Sequence, residues 1–312
     1  MLKIRTPSRI HMGLIDMNGA LGRVDGGIGI TLDRPCIEIT AEKQEAIKVR
    51  GDPVLNERMM KSCLAVGNGR GIRIDIKKSY WNHIGLGSGT QAALAAGMAM
   101  SRLYDLDLAP REIAGLVGRG GTSGIGIAAF ERGGFILDGG HRMSAKNAFL
   151  PSSFALGVPP APVLLQQDFP NWDIVLVIPP AKGAFDLYER DVFANLCPIP
   201  LHEVEQLSHI ILMQMLPALV EKDLETFGRA VNALQTVGFK RREVDLQPGT
   251  RPLIEALREA GAAGAGLSSF GPAVYAITDQ PSQVEAAAKS LYRDCKVIRT
   301  CARNAGAEIS SG

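Results

Sequence analysis

The stretch Gly85-Leu86-Gly87-Ser88-Gly89-Thr90 carries the plainest chemistry in the chain. An alanine-rich run of high helix propensity follows it as far as Arg102. The first amides of a helix lack internal partners and carry partial positive charge. Glycine lets a ligand approach the backbone without a Cβ clash. Ser88 and Thr90 add hydroxyl donors, so the loop suits a phosphate or diphosphate. No Lys follows the last glycine, which separates it from a Walker A loop, and the spacing is not G-x-G-x-x-G. A tight turn for close packing is the competing reading, and the glycines alone leave the two even. His83 precedes the loop and either contacts a ligand or caps the turn; Gln91 extends the phosphate site.

A second group lies near the start. Arg9 and His11 alternate with Ser8 and Ile10 on an expected strand and so share one face. Arg9 can pair with a phosphate or a carboxylate. The alternative is a surface ion pair and a core histidine. Asp16, Arg23 and Asp25 flank a glycine-rich turn. A carboxylate there either holds Mg²⁺ or a developing cation, or bonds its own backbone. Ser123 lies in the small-residue loop from Gly118 to Gly126. Asp138 and His141 follow an expected strand and can pair, with a turn role favoured for Asp138. Ser269 and Gly271 sit in a glycine loop before another strand and would form a far wall of the pocket. Lys240-Arg241-Arg242 reads as a solvated basic patch.

Positioning these residues requires mixed structure. Leu2–Arg5, Ile37–Thr40 and Gly71–Ile76 alternate as strands. Loop 83–91 reads as strand, loop, helix; Pro110–Val117 as a short helix; Phe130–Leu137 as a strand. The Pro- and Ser-rich segment 145–171 suggests a division into residues 1–160 and 161–312. Beyond it come a buried strand at Asp173–Ile178 and a long helix with Val204, Leu207, Ile211 and Met215 on one face. Thr250 is placed as the cap of a helix ending near Gly261. A strand, a helix and a last strand follow at Ala273–Thr278, Gln283–Tyr292 and Lys296–Thr300.

Composition narrows the class. The chain has 312 residues, 46% of them hydrophobic, so a sizeable core can be buried. A net charge of +2 gives no case for nucleic acid. Lys3, Arg5 and Arg9 interrupt the apolar start, so no signal peptide is expected, and no stretch suits a membrane span. Five cysteines without a C-x-x-C pair point to free thiols in a reducing cytoplasm.

The loop, the segment Pro7–Asp16 and the segment Gly266–Val274 together resemble, in order, the three motifs of the GHMP superfamily. That superfamily is named for galactokinase, homoserine kinase, mevalonate kinase and phosphomevalonate kinase. The resemblance implies a two-lobed α+β fold. Its N-terminal lobe would be like the second domain of ribosomal protein S5, and its C-terminal lobe ferredoxin-like, with the active site in the cleft between. Many of these kinases carry G-x-x-S-G-x-D, the Asp being catalytic. The matching stretch here ends in Gly126, which cannot take a proton.

Ser8–Leu14, His83–Gln91, Ser123–Gly126, Phe130–Phe135, Asp138–His141 and Phe169–Trp172 resemble a non-kinase branch, the family of β-ribofuranosylaminobenzene 5′-phosphate synthases. That resemblance implies condensation of 5-phosphoribosyl 1-diphosphate with 4-aminobenzoate, or 4-hydroxybenzoate, in tetrahydromethanopterin biosynthesis. Carbon dioxide and diphosphate are released, and Mg²⁺ accompanies the diphosphate. It also implies a cytoplasmic homodimer. Catalytic roles then fall to Arg9, His11, Asp16 and Asp25. Substrate binding falls to His83, Gly85, Gly87, Ser88, Gly89, Thr90, Gln91, Ser123, His141, Ser269 and Gly271; the metal ligands are not identified. The alternatives are an ATP-dependent small-molecule kinase of the same superfamily and a non-catalytic phosphometabolite binder.

Overall fold

A computed structural model describes residues 1–146, 148–151, 154–155, 157–180 and 187–311, with the side chains of 187–189 left aside. Two long strands, β1 (Leu2–Asp16) and β2 (Arg23–Lys43), form an antiparallel hairpin at the centre of the first sheet. β3 (Lys48–Arg50) and β4 (Ile72–Lys78) extend one side of β2. β5 (Phe135–Asp138), β6 (His141–Arg142) and β7 (Val163–Gln167) add to its other part. The β1–β2 register shifts between Thr6 and Ser8 and again between His11 and Gly13. Bulges at such places re-aim side chains, and here they bracket the segment that carries Arg9 and His11.

Four helices pack on this lobe: α1 (Pro53–Gly67), α2 (Ser88–Leu103), α3 (Pro110–Leu116) and α4 (Ile125–Glu131). α2 is buried nearly all round because its residues are small, among them Ala92, Ala93, Ala95 and Ala96. Ser62 of α1 donates to the Ala93 carbonyl at 2.6 Å, which ties the two helices side by side.

The second sheet contains β8 (Asp173–Ile178), β9 (Gly264–Leu267), β10 (Val274–Thr278) and β11 (Lys296–Cys301). Its spatial order is β11-β8-β10-β9, all antiparallel. Numbered within this lobe the order is 4-1-3-2, the ferredoxin-like arrangement that its sequence resemblance implied. The β8-to-β9 connection runs through α5 (Leu187–Leu196), α6 (Leu201–Ile210), α7 (Leu216–Glu221), α8 (Leu224–Leu234), α9 (Gly238–Leu246) and α10 (Thr250–Glu259). α11 (Pro281–Leu291) links β10 to β11. Strand alternation decides what each face meets. Val175, Val177, Val274 and Ala276 pack with Leu253 and Leu257 of α10 and Val284 of α11. Ile174, Leu176, Tyr275 and Ile277 face the other way and join Phe227 and Val231 of α8 in the main core.

Several elements differ from the sequence reading. The strand expected over Phe130–Leu137 begins only at Phe135, because Ile125–Glu131 is helix. Buried Ile127, Ala128 and Phe130 are adjacent apolar residues that a short window cannot assign to either period. Gly249, not Thr250, is the N-cap of α10. The long helix on Val204, Leu207, Ile211 and Met215 exists, with a π-helical turn at Ile211–Met215 between α6 and α7. The lobes do not divide cleanly at 160. β7 at Val163–Gln167 still pairs with β5, and β12 (Glu308–Ser311) returns from the far end to pair with β1. No helix among the described residues is long and apolar enough to cross a membrane.

Candidate active site

The glycine loop ends in a helix, as its residues dictate. Gly87 is the N-cap of α2, with φ of 81°, and Ser88 is the first helical residue. Thr90 and Gln91 amides bond back to the Gly87 carbonyl at 3.1 and 3.2 Å. The amides of Ser88 and Gly89 have no carbonyl one turn earlier to bond, which leaves them to an anion. Gly85, Gly87, Gly89 and Thr90 are partly accessible, while Ser88 is buried and donates its hydroxyl to the Asn82 side chain at 2.9 Å. His83 is exposed, with a left-handed φ of 57°.

The three motifs meet on one peptide. The Gly85 carbonyl accepts from Arg9 Nη1 at 2.5 Å and from Ser268 Oγ at 2.8 Å. The next carbonyl, of Leu86, accepts the Arg9 amide at 3.2 Å and the Tyr80 hydroxyl at 3.1 Å. Ser268 Oγ also accepts the His11 amide at 3.1 Å, and the Ser269 amide donates to the His11 carbonyl at 2.9 Å. Gly85 has φ of 86°, and a methyl group there would strike the Ser268 carbonyl. A methyl on Gly87 would come within 3.2 Å of the Arg9 guanidinium carbon. A methyl on Gly89 would strike the guanidinium of Arg58, which sequence reasoning had passed over. Two guanidiniums thus flank the start of α2. Ser269, in the left-handed region at φ of 51°, and Gly271 shape the turn that delivers Ser268.

Gly126 sits in the first turn of α4, where a side chain would rest 3.1–3.7 Å from Thr90. Gln91 is buried and donates to the Gly126 carbonyl at 2.7 Å, so its amide fastens α4 to α2. Ser123 donates to Asp138 at 3.1 Å, and the Gly124 and Gly140 amides donate to the same carboxylate at 2.9 Å each. Burial nevertheless pushes the Asp138 carboxyl up to about 6. Asp138 is therefore the turn-former the sequence favoured, and it does not pair with His141.

His141 pairs instead with Asp25, at 2.7 Å through Nδ1, while Nε2 faces the Gly120 and Pro159 carbonyls at 3.0 and 3.1 Å. Asp25 is 1% exposed and both its oxygens also take Lys146 Nζ at 2.9 Å. A carboxylate so deep requires cations around it. Asp25 and His141 thus form a buried charge cluster with Lys146, Thr122 and the Leu150 carbonyl. The sequence reading had given Asp25 a catalytic and His141 a substrate role; the structure places both in this cluster, bonded to each other. Asp16 accepts the Asn18 and Gly19 amides at 2.8 Å through Oδ1; among the described residues nothing bonds Oδ2. Arg23 donates to the Gly139 and Gly140 carbonyls, both at 2.9 Å.

Lys240 overturns another expectation. It is 1% exposed, pairs with Glu243 at 2.5 Å and donates to the Leu267 and Ser269 carbonyls at 3.2 and 3.3 Å. It lies against Gly13, so it clamps the third motif onto the first. Arg241 and Arg242 do reach the surface side, where both hold Glu203.

Burial, with the charges of Arg9 and Lys240, holds the His11 imidazole well below its ordinary 6.5. The native state resists a proton that the unfolded chain accepts. This contribution to stability is present above pH 6.5 and is lost as pH falls below it. The difference in urea-unfolding free energy between wild type and His11→Gln should therefore shift against wild type from pH 6.5 downward. A difference that does not vary with pH would contradict a neutral buried His11.

The described residues contain no group of three or more His, Cys, Asp or Glu side chains placed to hold a metal ion. All five cysteines are free, and burial pushes the Cys63 and Cys197 thiols up to about 12, unsuited to nucleophilic work.

Comparison with known proteins agrees with this architecture. Residues 55–134 match the GHMP kinases N terminal domain and residues 215–297 the GHMP kinases C terminal family. The fold superposes on L. major mevalonate kinase in complex with R-mevalonate, with a TM-score of 0.70, 18% identity, and coverage of 97% of this chain and 96% of that one. It also superposes on homoserine kinase from Cytophaga hutchinsonii, with a TM-score of 0.66, 16% identity, and coverage of 99% and 97%. At such identities the likeness shows the fold, and the two domain matches make it that of a two-lobed GHMP protein, α+β in class. Sequence reaches further. A protein from Archaeoglobus fulgidus is 46% identical over 99% of each chain, and one from Methanothermobacter thermautotrophicus is 42% identical over 98% of each. A Methanocaldococcus jannaschii protein is 45% identical over 91% of this chain and 92% of its own. All three are named beta-ribofuranosylphenol 5′-phosphate synthase, and the chain belongs to that family. Their name specifies a phenol where the sequence reading had put an aminobenzene first.

Proposed function

We propose that this enzyme joins 5-phosphoribosyl 1-diphosphate to 4-hydroxybenzoate, releasing carbon dioxide and diphosphate. One observation carries the reading. The anion-binding start of α2 is intact and flanked by Arg9 and Arg58, while Gly126 stands beside Thr90 where a phosphoryl-transfer base would be needed.

The proposed reaction needs no such base. Diphosphate leaves the anomeric carbon with the bonding pair. The ring carbon bearing the carboxylate forms the new carbon–carbon bond, and loss of carbon dioxide returns its electron pair to the ring. No proton has to move. What the protein must supply is charge stabilisation for the leaving group and alignment of the two substrates. The amides of Ser88 and Gly89 and the guanidiniums of Arg9 and Arg58 meet the first need. His11, neutral and buried beside Arg9, offers an uncharged wall toward the ribose cation. Mg²⁺ would neutralise diphosphate charge when bound. Such an ion would be held mainly by substrate oxygens, and among the described contacts Asp16 Oδ2 is the carboxylate oxygen of the predicted site left to reach it.

The test is turnover with each acid. Diphosphate and carbon dioxide should appear in equal amounts, only when an aromatic acid is present, and faster with 4-hydroxybenzoate than with 4-aminobenzoate. No release with either acid across a range of Mg²⁺, or turnover of ATP with an alcohol acceptor instead, would remove the proposal.

A further inference from the structure

Beside the glycine loop, α1, α2 and the segment around the end of α3 border a half-open cavity of about 560 Å³. That volume lies within the range of small-molecule sites, ~300–1,000 Å³. Among the described residues three cations line it: Arg58 and Lys61 on α1, and Arg119 just beyond α3. Glu57 also lines it and pairs with Lys61 at 2.6 Å. Among the described lining residues cations outnumber acids three to one. Small residues such as Ala93 leave room over the flank of α2. Arg58 makes the cavity continuous with the loop, since it both lines the one and lies against Gly89 of the other.

The donor proposed above carries anions at both ends of its ribose, a phosphate ester at C5 and a diphosphate at C1. The start of one helix cannot hold two groups separated by a sugar ring. Resting on that reading of the reaction, we propose that this cavity takes the second phosphate-bearing end of the sugar donor. Guanidinium groups match phosphate oxygens two at a time, and both Arg58 and Arg119 are half-buried, where such pairing is little screened. The loop amides hold the other end, and Arg58 stands between them.

Calorimetric titration of the wild-type protein with ribose 5-phosphate, and separately with inorganic diphosphate, tests this without requiring turnover. The same titrations are run on Arg119→Gln and Lys61→Glu. Lys61 is an exposed side chain, so its reversal leaves the core untouched and serves as the second variant should Arg119→Gln fold poorly. One ligand should weaken roughly tenfold or more in the variants while the other changes less than about twofold. The weakened ligand names the end held in the cavity. If both ligands bind the variants as tightly as wild type, or weaken alike, the cavity is not a separate subsite. If wild type binds neither ligand, the sugar-diphosphate reading itself falls along with the inference.

Discussion

Gly85→Ala should reduce kcat/KM about 100-fold or more, because a displacement of the order of an ångström at a positioned site has that effect. It should also lower unfolding stability by roughly 3 kcal/mol. Both effects have one origin. Position 85 holds φ of 86°, and an added methyl would drive into the Ser268 carbonyl. Backbone cannot yield as a flexible side-chain end would. The same peptide's carbonyl accepts from Arg9 and Ser268, so a shift loosens the first and third motifs together and tilts the start of α2. Urea unfolding and steady-state assays at a temperature where both proteins are folded measure the two parts. A variant with wild-type kinetics would show that the alignment of loop 85–90 has no bearing on turnover.

Lys240→Ala should cost about 3–5 kcal/mol, the usual effect of leaving a buried carboxylate without its partner. The partner is Glu243, 2% exposed, whose carboxyl burial already pushes upward while Lys240 pulls it back. Replacing both, as Lys240→Met with Glu243→Leu, should restore most of the stability. It should leave activity low, because the Leu267 and Ser269 carbonyls lose the ammonium that holds their turn. Full activity in a stable double variant would reduce Lys240 to a packing element. A double variant no more stable than the single would mean the charge pair is not the source of the loss.

What could be read in advance depended on whether function left a local mark. The loop at 85–90 was legible as a turn into a helix because dense glycines break a strand and a run of strong helix formers follows. The strand face of Arg9 and His11 followed from period-two alternation. Gly126 was noticed because a neighbouring pattern predicts a carboxylate there. The misses share a different cause. Asp25 and Lys146 lie 121 residues apart, and nothing in either neighbourhood announces the other. Asp25 therefore read as a carboxylate that either holds a cation or bonds its own turn. Lys240 was masked by Arg241 and Arg242, two more exposed cations that both hold Glu203; the helical period sends only the first of the three fully inward. Arg58 sits among polar residues on an amphipathic helix and becomes visible only once Gly89 is seen to lie beneath it. Fold class was easier than site because alternation and periodicity report burial, whereas pairing across the chain reports itself nowhere in sequence.

The return of Glu308–Ser311 to the side of Leu2–Arg5 has a consequence for anyone dissecting the molecule. A fragment ending where the first lobe seems to finish would expose an unpaired strand edge next to the very segment that presents Arg9. Bare edges recruit other chains, so such a fragment should clump rather than act as a portable phosphate grip. One rim of this sheet is thus closed by a piece of chain made last, laid beside the piece made first.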